Sequence, residues 1–123
     1  MKEKKLRKRI RALELPDVKG KSMQDFIPAY ERILVELKIK NKDDLDRART
    51  IVAETIDELQ TQIMTEACKG LMMGKYKDVT ELPLYRNEEN GTVENVPDSI
   101  MKWFAFVAWL NERSNEMLFE QDG

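Results

Sequence analysis

The chain has 123 residues, 36% of them charged, with a formal net charge of −2 and no histidine. Its length fits one domain, and a chain of this size buries roughly two thirds of its unfolded surface without needing disulfides or metals. The missing histidines remove the commonest general base and metal ligand. The single cysteine, Cys68, excludes an internal disulfide and a thiolate zinc site, so neither a metal nor a cofactor is expected.

The charge is unevenly spread. Residues 1–21 hold nine Lys or Arg against three acids, whereas residues 22–123 hold twelve against twenty. A basic N-terminal arm and linker (1–21) on an acidic helical domain (22–123) is the expected division. No apolar run follows the basic start, so a secretory signal is not expected, and a reducing cytoplasm suits the lone thiol.

In chain order, "KEKKLRKRIRALEL" sets Leu6, Ile10 and Leu13 at helical steps on an otherwise cationic helix. Pro16 should end it, and "PDVKGK" reads as a linker. With so narrow an apolar stripe, the arm is expected to be dispensable for folding. Its solvent-facing role falls to Lys4, Lys5, Arg7, Lys8, Arg9 and Arg11, dense enough to neutralise several phosphates or to meet an acidic partner. No aromatic is interleaved among them, so stacking on single-stranded bases is unsupported.

Ser22 and Asp25 stand at capping-box spacing, and Met23, Phe26, Ile27, Tyr30, Ile33, Leu34 and Leu37 follow with helical period. Pro28 is best tolerated in a first turn, which moves the expected start toward Asp25. A second helix opens at "NKDDLDRA", whose acids suit a positive helix end. Its stripe is Leu45, Ala48, Val52, Ile56, Leu59, Ile63 and Ala67, and it forms the long spine of the fold. It should run to about Gly70, and at most to Lys77, with Gly70-x-x-x-Gly74 marking a helix end, and Cys68 is expected to be buried beside the stripe. Between Pro83 and Pro97 the helical pattern breaks. Leu84–Arg86 and Thr92–Glu94 could pair as a short hairpin across Asn90-Gly91.

The last helix, expected over 99–119, contains "KWFAFVAWL". Ile100, Trp103, Phe104, Val107, Leu110 and Leu118 fall on one arc, which reads as the core face. Met101, Ala105 and Trp109 point elsewhere, with Phe106 at the edge. Too short and charged for a membrane span, the segment suggests a second face formed by Met101, Ala105, Phe106 and Trp109 and covered by another chain.

Short motifs with chemical meaning do not hold together. Gly20-Lys21-Ser22 ends like a phosphate loop, but Leu15 stands where that loop needs glycine. Pro16-Asp17 with Glu36-Leu37-Lys38 has the residue order of a PD-(D/E)xK nuclease. Those acids need adjoining strands, and here Glu36 and Lys38 fall in a helix. Glu54, Asp57 and Glu58 read as a solvated acidic face.

The sequence therefore predicts an all-α bundle with a long central helix, a short hairpin and a basic arm. The expected function is non-enzymatic: an assembly or adaptor protein that self-associates or docks on another protein through its aromatic helix. The basic arm would contact nucleic acid or an acidic surface, and no membrane is involved. Small accessory proteins of phages and mobile elements often have this organisation. A nucleic-acid-binding regulator is the alternative, although the Leu37–Leu45 connection lacks the glycine common in a helix-turn-helix. A carboxylate-dependent enzyme such as a nuclease ranks third.

Overall fold

A computed structural model of the chain describes residues 3–122, with side chains through Met117. It is all-α apart from one hairpin. Among the described residues, the order is α1 (Glu3–Arg11), α2 (Met23–Glu36), α3 (Lys42–Met72), a 3-10 turn (Val79–Glu81), β1 (Tyr85–Asn87), β2 (Thr92–Glu94) and α4 (Asp98–Asp122). No described helix is long and apolar enough to cross a membrane.

The 31 residues of α3 span about 46 Å, and α1 and α4 pack along this spine. Asn41 caps it, its side-chain oxygen accepting the Asp44 N–H at 2.9 Å. The expected stripe is buried from Leu45 to Ile56, with Leu59 and Ile63 half-buried and Ala67 buried. Ile51 and Thr55 are buried as well, which widens the stripe on one flank. That flank is where α1 docks.

The basic arm is not separate from the fold. Leu6 and Ile10 of α1, and Leu15 beyond it, belong to the same buried cluster as the cores of α2, α3 and α4. The narrow stripe suffices because α3 offers a matching apolar strip at Ile51. The boundary expected at residue 21 therefore does not divide the core. Leu13 and Val18 of the linker are half-buried against it too.

Helix α2 starts earlier than expected. Ser22 donates its backbone N–H to the Asp25 carboxylate at 3.0 Å, and this closure fixes the start at Met23. Pro28 consequently lies in the second turn. Phe26, Tyr30, Ile33 and Leu34 form its buried face.

The hairpin forms one residue out of the expected register on its first strand: Tyr85 pairs with Glu94, Arg86 with Val93 and Asn87 with Thr92. Gly91 takes the left-handed turn conformation at φ +71°, and Asn90 accepts the Thr92 N–H at 3.0 Å. Asn95 holds the hairpin to the preceding segment by donating its amide to the carbonyls of Thr80 and Leu82, at 2.7 and 2.9 Å. Leu84 and Val96, half-buried against the helical core, anchor it.

Helix α4 closes the bundle. Its C-terminal half meets the N-terminal end of α3, where the buried Ser114 hydroxyl donates to Asp46 Oδ1 at 3.0 Å. Asp46 also accepts from Lys42 at 2.8 Å. The Lys42 bond, helped by Ser114, holds the Asp46 carboxyl below its ordinary pKa of 3.8.

Candidate nucleic-acid interface

Both faces of the site expected from sequence are changed by the packing. On α1, Arg7 and Arg11 lie beside the buried stripe and face α3. Arg7 donates from Nε and Nη2 to Glu54 Oε2 at 3.3 and 3.0 Å. One turn on, Arg11 Nη2 meets Glu58 Oε1 at 2.5 Å. Because Arg7 pairs with Glu54 and Arg11 with Glu58, α1 runs parallel to α3. Two of the six cations proposed for an outside partner are thus engaged within the chain, and the acidic face read as solvated supplies their partners. The equal spacing of Arg7/Arg11 and Glu54/Glu58, four residues each, was the available signal in the sequence.

Lys4, Lys5, Lys8 and Arg9 are exposed, and none forms an ion pair among the described residues. At 100° per residue they occupy one arc of about 140° on the side of α1 away from the core. Ala12 is the small apolar residue on that arc. Docking fixes the helix, so the four charges project from a rigid support.

The aromatic face is corrected more sharply. Phe106 and Trp109, expected against another chain, are 1% and 6% exposed inside the protomer. Tyr30 of α2 packs against both, its ring centroid 5.0 Å from Phe106 and 5.3 Å from Trp109. Met101 and Ala105 are half-buried. The buried arc of α4 runs from Ile100 through Trp103, Leu110 and Phe106 to Trp109, with Ser114 inside it. Phe104 and Val107, both on the expected arc, are only half-buried. Leu118, expected on that arc, lies outside the residues whose side chains are described. The face turns because α2 covers the flank that the sequence reading left for a partner.

Other expected features are placed as follows. Cys68 is exposed rather than buried. Met72 and Met73, at the C-terminal end of α3, are 88% and 85% exposed. The hollow along α3 beside Asp57, Thr61, Met64 and Cys68 is open to solvent. Among the described residues, no three Asp, Glu or Cys side chains converge as metal ligands would. No protein-family model, curated protein or solved structure matches this chain.

Proposed function

We propose that the protein is a non-enzymatic module that binds the phosphate backbone of duplex nucleic acid through the outer face of α1. The observation carrying this reading is the sorting of charge around that helix. Arg7 and Arg11 turn inward onto Glu54 and Glu58, while Lys4, Lys5, Lys8 and Arg9 stay exposed on one rigid arc. A protein partner would ordinarily be met by an interface with an apolar or aromatic centre. This arc offers no aromatic side chain and no apolar one larger than Ala12, and phosphates need only positive charge and hydrogen-bond donors. The lack of aromatic side chains favours a duplex over an unstacked single strand. With the α4 aromatics enclosed, support for docking through that helix falls away.

Fluorescence anisotropy with a labelled 20-base-pair duplex tests the reading. The full chain should bind with log K falling against log salt, and the four α1 cations should account for about −3.6 of that slope, four phosphates at about 0.9 each. Replacing Lys4, Lys5, Lys8 and Arg9 with Ala should abolish most of that dependence while the circular dichroism spectrum is unchanged. Failure of the wild-type chain to bind duplex at 50 mM salt overturns the proposal. So does tighter binding to a polyglutamate peptide than to the duplex, which would identify an acidic protein as the partner.

A further inference from the structure

The positive surface does not end at α1. Leu6 of α1 lines a small depression together with Leu37, Lys38, Ile39, Asp44 and Arg47. Lys38 lies in the α2–α3 connection and Arg47 in the first turns of α3. Both are exposed, and among the described residues neither forms an ion pair. Folding therefore brings two unpaired cations from elsewhere in the sequence to the edge of the basic helix, against one carboxylate, Asp44.

Lys38 also occupies an uncommon backbone position. It is left-handed, with φ +60°. Its N–H donates to Val35 O and that of Ile39 to Leu34 O, both at 3.0 Å, which terminates α2. The same two bonds terminate α3, from Gly74 to Leu71 O at 3.2 Å and from Lys75 to Gly70 O at 2.8 Å. There the left-handed residue is Gly74, with φ +79°. Glycine suits this position because it has no Cβ, and a lysine is sterically disfavoured in it.

We infer that Lys38 and Arg47 form a second phosphate-contacting row, and that this row and the outer face of α1 grip one duplex together. The inference rests on the reading of α1 as a backbone-binding helix and adds residues to that site. Charge complementarity selects the occupant: the depression is bordered by cations and the neighbouring helix face is cationic throughout. Lys38 could instead serve α2 by answering its C-terminal dipole, and the variants below separate the two roles.

The duplex titration is repeated on the full chain with Lys38→Gly, Arg47→Ala and the double variant. Lys38→Gly should melt at or above the wild-type temperature, since glycine relieves the left-handed residue, and yet bind more weakly. The double variant should lose about ten-fold in affinity at 100 mM salt and flatten the salt slope by about 1–2. Asp44→Asn should bind more tightly than wild type. Wild-type affinity and slope in the double variant, beside lost binding in the α1 variant, overturn this inference and leave the α1 reading standing. A lowered melting temperature in Lys38→Gly also counts against it, because the lysine would then serve the fold. A wild-type chain that ignores the duplex removes both readings together.

Discussion

The rings of Tyr30 and Trp109 lie 5.3 Å apart, centroid to centroid, inclined at 45°. Phe106 stacks near-parallel to Trp109 at 6.5 Å, and Phe26 meets Tyr30 at 5.3 Å. This four-ring cluster joins α2 to α4, and it encloses two residues, Phe106 and Trp109, that the sequence pattern assigned to a face covered by another chain.

Trp109→Ala should therefore destabilise the protomer about as much as Trp103→Ala, by about 3–5 kcal/mol, through lost burial and an unfilled cavity. Both tryptophans are 6% exposed. Urea denaturation followed by circular dichroism measures the two variants on one scale. A Trp109→Ala chain with wild-type stability, altered only in sedimentation, would return Trp109 to an intermolecular role.

Within that cluster the Tyr30 hydroxyl is buried with no hydrogen-bond partner among the described residues. Burial pushes its pKa from 10.0 up to about 12. The sign follows directly. The folded state favours the protonated phenol, so this contribution to stability is intact below pH 10 and declines as pH rises from about 10 toward 12. Tyr30→Phe removes the unsatisfied hydroxyl and keeps the ring. At pH 7 it should be neutral or stabilising by about 1 kcal/mol, because an unpaired buried polar group costs roughly 1–3 kcal/mol. The variant should also lose less stability than wild type on going from pH 9 to pH 11. A clearly destabilised variant at neutral pH would mean that the hydroxyl has a partner in solution.

The helices were legible because each carries its own periodic stripe and end signals: Asn41 before α3, Gly74 after it, and Asn90-Gly91 in the hairpin. Side-chain fate was less legible where a second helix decides it. The stripe of α3 was phased correctly at Leu45, Val52 and Ile56, yet Ile51 and Thr55 are buried too, on the flank where Glu54 and Glu58 meet α1. The α4 arc turned toward Phe106 and Trp109 because Tyr30 arrives from α2, a pairing that α4's own periodicity does not encode. Likewise, nothing local to "KEKKLRKRIR" distinguishes an outward arginine from an inward one. The matching carboxylates stand 47 residues away. The left-handed Lys38 was hidden for a local reason: a lysine stands where a glycine would have announced the turn.

The docking of α1 yields the final prediction. Ile10 is fully buried, Leu6 is 4% exposed and Leu15 is 6% exposed. The Arg7–Glu54 and Arg11–Glu58 pairs remain partly solvated, with side chains 34–56% exposed. Exposed ion pairs contribute at most about 1 kcal/mol each, whereas truncating a buried isoleucine to alanine costs about 2–5 kcal/mol. Apolar burial should thus hold α1 in place, with the ion pairs setting its register and parallel direction. Ile10→Ala should lower stability by about 2–5 kcal/mol, and Arg7→Ala with Arg11→Ala by less than about 2 kcal/mol together. Deleting residues 1–15 should be worse than either, since it also exposes Ile51 and Thr55 on α3. Thermal melts separate these outcomes, as 1 kcal/mol corresponds to a few degrees for a domain of this size. If the truncated chain melts within about 3 °C of the full chain, α1 is not part of the core. The rigid presentation of Lys4, Lys5, Lys8 and Arg9, on which the proposed duplex contact depends, would then be lost. If the arginine variants cost more than Ile10→Ala, electrostatics rather than burial holds the helix, and raising salt from 0.05 to 1 M should release it.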